Sequence, residues 1–311
     1  MMKRMLAIIT MTTVILSACS TKEKEVPQNE SFLKEAPAET IEHIHGAGYP
    51  GNDEGLYLAT HSGLKIYRNG KWYETTRNNH DYMGFQAVQE GFYASGHPEE
   101  GSDLENPLGL VQSSDGGKSL KKLGFYGESD FHYVAAGYES DAIYVVNEHP
   151  NSEMEQGLYY SLDKGETWKK SQLRNMAASS ANQITAHPTS PETIGIATPE
   201  GIYLSKDYGN TFNLISDKAN VTSLSIQKDY MLYAVADGQK VRVIRQELGN
   251  KEKQDVKIPG ISEDNFILYI SVNPHNEQEM SMVTIKNDIF LTQDGGQSWS
   301  PIVEKGKTVK E

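Results

Sequence analysis

The stretch Ser161-Leu162-Asp163-Lys164-Gly165-Glu166-Thr167-Trp168 decides the fold, because near copies of it recur along the chain. These copies begin at Ser113, Ser205 and Thr292. The shared pattern is Ser/Thr-x-Asp-x-Gly-x-x-aromatic, with Leu120 in the last position of one copy. A short Asp side chain accepts backbone N–H bonds across a tight turn, and Gly adopts positive φ without strain. The pattern therefore predicts hairpin turns and gives a structural role to their aspartates, Asp115, Asp163, Asp207 and Asp294.

The starts of the four copies lie 48, 44 and 87 residues apart, and the last spacing is close to two repeats. Such a period is typical of arrays in which one unit cannot bury its apolar face alone. Runs of β-branched and aromatic residues between turn clusters divide residues 41–303 into six units. We therefore predict an all-β, six-bladed β-propeller. The alternative, a seven-bladed ring, would need one more unit than the ends of the chain provide. A strand from residues 31–34 is one candidate for closing the ring.

The repeated pattern resembles the Asp-box, or BNR repeat, of sialidases, sortilin-type receptors and related β-propellers. This resemblance implies four strands per blade, A to D, with the box in the C–D turn. It also implies that the A–B and C–D turns share one face, and that the B–C and D–A connections share the other. His43-Ile44-His45-Gly46 and Ala94-Ser95-Gly96-His97-Pro98 further resemble segments of exported bacterial BNR-repeat proteins described as glycosylhydrolase-like. That description rests on the repeat, so it implies a fold and not an activity.

The N-terminus has the segments of an exported lipoprotein. Lys3 and Arg4 precede an apolar run of twelve residues, which is too short to span a bilayer and is typical of a signal peptide. Leu16-Ser17-Ala18-Cys19 resembles the bacterial lipobox, which implies cleavage before Cys19 and lipidation of its thiol. We predict a signal peptide at 1–18, a lipidated Cys19 and flexible tether at 19–40, the propeller at 41–303 and a C-terminal tail at 304–311. The expected location is the cell membrane, facing outside the cytoplasm.

Charge and cysteine content restrict the partners. The formal net charge is −13, with 29 Lys and Arg against 42 Asp and Glu, and phosphate binding needs a basic patch. Nucleic acid is therefore excluded as a partner. Cys19 is the single cysteine of the sequence, so no intramolecular disulfide can form. The expected partners are the membrane, through the lipid anchor, and a protein or glycan ligand.

Seven of the nine histidines follow predicted B strands or lie at predicted A strands of the first three units. Given the implied topology, they occupy one rim of the ring, and six of them form the candidate ligand or metal site: His43, His45, His61, His97, His132 and His149. His43 and His45 share a face of the first A strand, which we predict at 42–48. Carboxylates such as Glu42, Asp81, Asp130 and Glu148 lie nearby in the predicted layout. Imidazoles beside carboxylates fit Zn or Cu, although a polar ligand pocket or a purely structural cluster remains an alternative.

Sialidase activity is not predicted. The family that the box resembles uses three arginines to hold a carboxylate, which needs the planar guanidinium fork. Only five arginines follow the signal peptide, and only Arg77 and Arg174 lie in D–A connections. Other glycosidases need only two carboxylates about 5–10 Å apart, and the acidic loops at 97–107 and 149–156 offer many. The preferred hypothesis is a membrane-anchored binding propeller. The alternative is a non-sialidase glycoside hydrolase acting on surface polysaccharide, for which no catalytic residue can be assigned.

Overall fold

A computed structural model describes residues 31–36, 40–238 and 240–309 of the chain. The predicted signal peptide, Cys19 and most of the predicted tether lie outside these residues. The described residues form six antiparallel sheets arranged as the blades of a propeller, which confirms the predicted all-β, six-bladed fold. None of the helices in this part of the chain has the length and apolarity needed to cross a membrane.

The first three blades each contain strands A to D in chain order. Blade 1 consists of β2 (Ile44–Gly48), β3 (Leu56–Thr60), β4 (Gly63–Arg68) and β5 (Lys71–Thr75). Blade 2 consists of β6 (Asp81–Val88), β7 (Gly91–His97), β8 (Leu110–Ser113) and β9 (Lys121–Gly124). Blade 3 consists of β10 (Val134–Ala136), β11 (Ile143–Asn147), β12 (Gly157–Ser161) and β13 (Lys169–Lys170). An additional strand, β1 (Leu33–Glu35), pairs with β5 on the outer edge of blade 1.

The last three blades follow the same order, and blade 6 has a fifth strand. Blade 4 consists of β14 (Gln183–Ala186), β15 (Ile194–Thr198), β16 (Gly201–Ser205) and β17 (Asn213–Leu214). Blade 5 consists of β18 (Asn220–Ile226), β19 (Tyr230–Ala236), β20 (Val241–Glu247) and β21 (Lys253–Val256). A short 3₁₀ helix (Glu263–Asn265) leads to blade 6, which consists of β22 (Ile267–Val272), β23 (Met280–Thr284), β24 (Ile289–Thr292), β25 (Ser300–Glu304) and β26 (Lys307–Thr308).

Burial decreases from the centre of the ring to its outside. The B strands β3, β15, β19 and β23 are buried at every position, because neighbouring blades cover both faces of each blade. Strands covered on both faces are continuously apolar instead of alternating, as in the sequence Leu-Tyr-Leu-Ala-Thr of β3. The outer strands β13 and β17 are exposed at both positions, so the apolar residues of each unit concentrate where two blades meet.

Six apolar clusters hold the ring together, one at each junction between blades. At the junction of blades 1 and 2, for example, Tyr57 and Leu64 pack with Tyr82 and Phe92. The A strands of successive blades contact one another around the centre, and β2 contacts β22. A closed ring therefore has no free blade face.

The ring closes without exchange of a strand between blades. Contrary to the candidate role of residues 31–34, β1 lies on blade 1 itself, and Phe32 and Ala36 on either side of it are buried. The described chain is thus part of the propeller from Phe32 onward, inside the segment predicted as tether. At the other end, β25 and β26 form a hairpin that pairs Lys307 with Thr40, so the last blade includes part of the segment predicted as tail.

The four Asp-boxes share one hydrogen-bond pattern. In the box of blade 3, Ser161 Oγ donates to Asp163 Oδ1 at 2.7 Å and accepts from Gly165 N at 2.8 Å. Asp163 Oδ1 also accepts from Thr167 N at 2.8 Å. Two successive residues, Lys164 and Gly165, have positive φ of 58° and 90°, which is why the glycine is needed. The equivalent side chains of Asp115, Asp207 and Asp294 make the same contacts.

The boxes and the A–B turns lie together at one edge of the blades. Lys164 N donates to Asp141 O of the A–B turn in blade 3, and Gly295 N donates to Gln278 O in blade 6. Since strands alternate in direction, the B–C and D–A connections lie at the opposite edge, which we call the rim. The four Asp-boxes therefore lie at the edge of the blades opposite the rim.

Candidate metal centre

Two histidines and one aspartate from neighbouring blades converge on the rim. His45 is the second residue of β2, His61 directly follows β3, and Asp81 is the first residue of β6. Each position is a strand end at the rim edge, so the backbone brings three distant parts of the sequence together. One ligand atom of each side chain lies within 4.8 Å of the others. We call His45, Asp81 and His61 the first triad.

Asp81 holds both imidazoles of the first triad. His61 Nδ1 donates to Asp81 Oδ2 at 2.6 Å. His45 Nε2 lies 3.6 Å from Asp81 Oδ1, which is too long for a hydrogen bond. His45 Nε2 and Asp81 Oδ1 are both buried and have no hydrogen-bond partner among the described residues. A cation bound between them would satisfy both atoms, because a buried polar atom without a partner is costly.

The electrostatics favour the neutral form of His45. Burial lowers its pKa below the ordinary value; Asp81 opposes this shift, and the neighbouring imidazoles of His61, His43 and His132 add to it. Neutral imidazole is the form that coordinates metal ions. His45 is therefore available as a ligand at neutral pH without first losing a proton.

His43 supports the first triad by packing. Its backbone has φ of 51°, which interrupts the extended chain, so strand A begins at Ile44 and not at residue 42 as predicted. The imidazole rings of His43 and His61 meet edge to face at 4.8 Å, and those of His45 and His61 at 4.6 Å. His43 is not among the three converging ligands.

A second group with the same composition lies beside the first. His97 ends β7, Asp130 precedes β10, and His132 follows two residues later. Asp130 Oδ2 lies 3.2 Å from His97 Nε2 and 3.4 Å from His132 Nε2. We call His97, Asp130 and His132 the second triad. Asp81 and His97 are paired across β6 and β7, which places the two triads next to each other.

The remaining histidines have other surroundings. His80 is 3% exposed, and its Nδ1 accepts a hydrogen bond from Glu99 N at 2.9 Å. His149 is exposed, and its backbone carbonyl accepts from Asn147 Nδ2 at 2.7 Å. His187 Nε2 and His275 Nε2 bond to the carbonyls of Lys228 and Gly51 in the A–B turns of the opposite edge. Of the six candidate residues, the structure thus groups His43, His45 and His61, and separately His97 and His132.

Sequence reasoning placed seven histidines on the rim but did not show that five of them form two separate groups, each around one aspartate. Asp81 and Asp130 stood among several nearby carboxylates, and only the structure shows that each lies between two imidazoles. A usable signal exists in retrospect: a His at the end of strand B recurs with an Asp ahead of strand A in the next unit. Asn106, whose Oδ1 lies 2.6 Å from His97 Nδ1, carried no signal because it belongs to a long loop.

A cavity of about 430 Å³ runs through the centre of the ring beneath the triads. His45 and His132 both line it, together with the aromatic side chains Tyr133 and Tyr269 and the amides Gln86 and Gln183. One histidine of each triad therefore faces the central cavity. A metal held by three protein ligands keeps at least one open position, which is the arrangement of reactive zinc sites.

The comparisons with known proteins agree on the fold. Residues 109–259 match the sequence model of the family described as "Sortilin, neurotensin receptor 3". No curated protein matches the chain.

Among solved structures, the chain is similar to a GH74 enzyme of Niastella koreensis, with a TM-score of 0.53 and 17% identity over 86% of this chain and 47% of that one. A GH74 xyloglucanase of Xanthomonas campestris gives a TM-score of 0.52 and 13% identity over 87% of this chain and 47% of that one. YCF48 of Cyanidioschyzon merolae gives a TM-score of 0.50 and 12% identity over 89% of this chain and 90% of that one.

This chain spans about half the length of the GH74 structures that it matches. Identities at this level concern the fold alone and not the activity. Together with the repeated box, the comparisons show that the chain has a β-propeller fold, and the middle part of its sequence is similar to the sortilin family model.

Proposed function

We propose that this chain is a membrane-anchored, extracytoplasmic β-propeller that binds a transition metal ion through the first triad. One observation carries the proposal: the ligand atoms of His45, His61 and Asp81 converge within 4.8 Å, and two buried polar atoms there have no hydrogen-bond partner in the described part of the chain. Imidazole and carboxylate together suit Zn²⁺ or Cu²⁺, and geometry decides between them.

Metal binding is tested by titrating the purified, metal-free chain with Zn²⁺ and Cu²⁺ in a calorimeter. His61→Ala and Asp81→Asn should each weaken the tightest binding event at least tenfold, because each removes a ligand. His149→Ala is the matched control, since it removes an exposed imidazole on the same rim outside the triads. Equal tight binding by wild type and His61→Ala would refute the proposed site.

Membrane anchoring is supported by the lipobox-like sequence that ends at Cys19. One acyl chain gives only marginal membrane binding, whereas two or more give stable anchoring. Replacing Cys19 by Ser should abolish incorporation of labelled fatty acid and should move the protein from the membrane fraction to the soluble fraction. A Cys19→Ser protein that stays with the membranes after a high-salt wash would contradict lipid anchoring.

The glycoside hydrolase alternative has its own readout. A panel of cell-surface glycans would be incubated with wild type and with Asp81→Asn and Asp130→Asn. Turnover that requires either carboxylate but no added metal would support a hydrolase and count against a metal-binding role. Absence of turnover, combined with His61-dependent metal binding, would support the proposal.

A further inference from the structure

The second triad has an unusual arrangement of protons. His97 Nδ1 lies 2.6 Å from Asn106 Oδ1, and His132 Nδ1 lies 2.8 Å from Glu148 Oε2. Amide and carboxylate oxygens only accept hydrogen bonds, so each Nδ1 carries the proton. In a neutral imidazole the other nitrogen, Nε2, then has only a lone pair to offer.

Both of these lone pairs point toward the same carboxylate oxygen. Asp130 Oδ2 lies 3.2 Å from His97 Nε2 and 3.4 Å from His132 Nε2. Three acceptors facing one another repel unless a proton or a cation lies among them. Asp130 is only 17% exposed, and its other oxygen, Oδ1, is buried without a hydrogen-bond partner in the described part of the chain. Solvent therefore relieves this repulsion only in part.

A transition metal ion fits two of the three distances between the ligand atoms. Zinc binds imidazole nitrogen and carboxylate oxygen at about 2.0–2.1 Å in tetrahedral geometry, so two of its ligand atoms lie about 3.3 Å apart. The Nε2–Oδ2 separations of the second triad match this value. Metal-binding histidines also donate their other N–H to a carboxylate or carbonyl, which fixes the ring. Glu148 and Asn106 already occupy these outer positions.

The two triads are built alike. Each has a His at or just after the end of a B strand, an Asp at or just before the start of the next A strand, and a second His near the start of an A strand, which belongs to blade 1 in the first triad and to blade 3 in the second. In each, the Oδ1 atom of the Asp is buried without a partner among the described residues. The likeness argues that both triads take the same class of ligand.

We infer that the second triad binds a second transition metal ion, so that the rim carries two metal ions side by side. This inference goes beyond the proposed function, because it concerns different residues and can hold or fail by itself. The second ion binds more weakly than the first. Among the described residues, only the first triad brings all three ligand atoms within 4.8 Å of one another, so the second must adjust its side chains on loading.

The test is calorimetric titration of the metal-free chain with Zn²⁺ alone, followed to saturation. Wild type and His149→Ala should bind two ions, the second at least tenfold more weakly. His132→Ala should bind one ion with the tight affinity, and His61→Ala should bind one ion with the weak affinity. Glu148→Gln should weaken only the second ion, by about 10–100-fold, because outer hydrogen bonds orient the ligating imidazole.

The outcomes separate the two sites. If wild type binds one ion and His132→Ala also binds one, the second site is overturned and the proposed function stands. Loss of one ion in His132→Ala, together with no effect of His61→Ala, would refute the first site and retain the second. Titration with Co²⁺ adds a spectroscopic readout, since tetrahedral coordination by imidazole gives visible absorption that a merely misfolded variant lacks. Each variant is first checked for an unchanged melting temperature.

Discussion

At the scale of single residues, the structure gives each of the repeated aspartates a defined electrostatic state. Hydrogen bonds from the side chain and backbone of Thr167 and from Ser161 lower the pKa of Asp163 to about 2. The sequence pattern allowed this role to be predicted because all partners lie within four residues. The contacts of Asp81 and Asp130 with histidines could not be predicted as firmly, since each triad joins residues of neighbouring blades.

The lowered pKa of Asp163 makes the stability of the propeller dependent on acid. A carboxyl group with a depressed pKa contributes stability that is present above its unfolded value of about 3.9 and is lost as the pH falls toward 2. Asp163→Asn keeps the shape but cannot ionise, so it should lower the melting temperature at pH 6. The difference between wild type and variant should shrink between pH 4 and pH 2. A constant difference over this range would contradict the role of the charge.

His80 makes stability depend on pH in a higher range. Burial lowers its pKa, although Glu99 acts in the opposite direction, and its Nδ1 must stay unprotonated to accept from Glu99 N. A His with a lowered pKa contributes stability that is present above about 6.5 and is lost as the pH falls below this value, because the unfolded chain then binds more protons.

His80→Asn places an amide oxygen near the position of Nδ1 and removes the titrating ring. We expect the variant to lose about 1–2 kcal/mol at pH 7.5 through reduced packing. The wild type should lose more stability than the variant between pH 7.5 and pH 5.5, as measured by urea unfolding. Parallel pH profiles would show that His80 titrates normally in the folded chain.

At the scale of elements, the alternation between strand runs and turn clusters predicted the blades well, because each hairpin is local in sequence. Each of the six units predicted within residues 41–303 forms one sheet. The start of strand A in blade 1 was missed because the positive φ of His43 has no sequence signal. A strand at residues 31–34 was a candidate for closing the ring, but β1 pairs with β5 of blade 1 instead, and a short polar segment has no sequence signal for its partner.

The segment at β1 nevertheless contributes a buried anchor. Phe32 is 6% exposed, its carbonyl accepts from Thr76 N at 2.9 Å, and the Arg77 guanidinium lies 5.0 Å from the centre of its ring. Phe32→Ala should cost about 3 kcal/mol of unfolding free energy, as large-to-small substitutions in cores do. Denaturant unfolding measures this cost. Glu35→Ala, on the exposed part of the same strand, should leave stability nearly unchanged.

A loss in Phe32→Ala no larger than in Glu35→Ala would show that β1 only rests on the surface of blade 1. The comparison matters for the proposed anchoring, because Phe32 is where the folded ring begins.

At the scale of the whole molecule, the spacing of the boxes together with the runs of strand-forming residues was sufficient to count the blades, but closure of the ring could not be predicted. Closure depends on contacts between residues far apart in sequence. Ser271 Oγ donates to Ala47 O at 3.0 Å, and His275 Nε2 lies 2.9 Å from Gly51 O. No periodic pattern marks these pairs: an equivalent of the His275 contact recurs once, between His187 and Lys228. The rim site has the same origin, since it requires blades 1 to 3 to be fixed relative to one another.

The closing junction should be as important to stability as any other. Ile41 is 1% exposed, packs in the cluster shared by blades 1 and 6, and its N–H donates to Gly306 O at 2.6 Å. Ile184 is buried in the same way between blades 3 and 4. Truncation of either to Ala should cost about 2–5 kcal/mol. Because every blade in a closed ring is held from both sides, each variant should still unfold in one transition.

Urea unfolding followed by tryptophan fluorescence and by circular dichroism distinguishes a closed ring from an open array. Coincident transitions at lower urea for both variants would support closure, since the loss at one junction is then shared by all six blades. In an open array, stability is the sum of neighbour contacts and the ends unfold first. Ile41→Ala would then show an early, separate transition of blades 1 and 6 that Ile184→Ala lacks, and that result would place the first triad on a blade that opens independently.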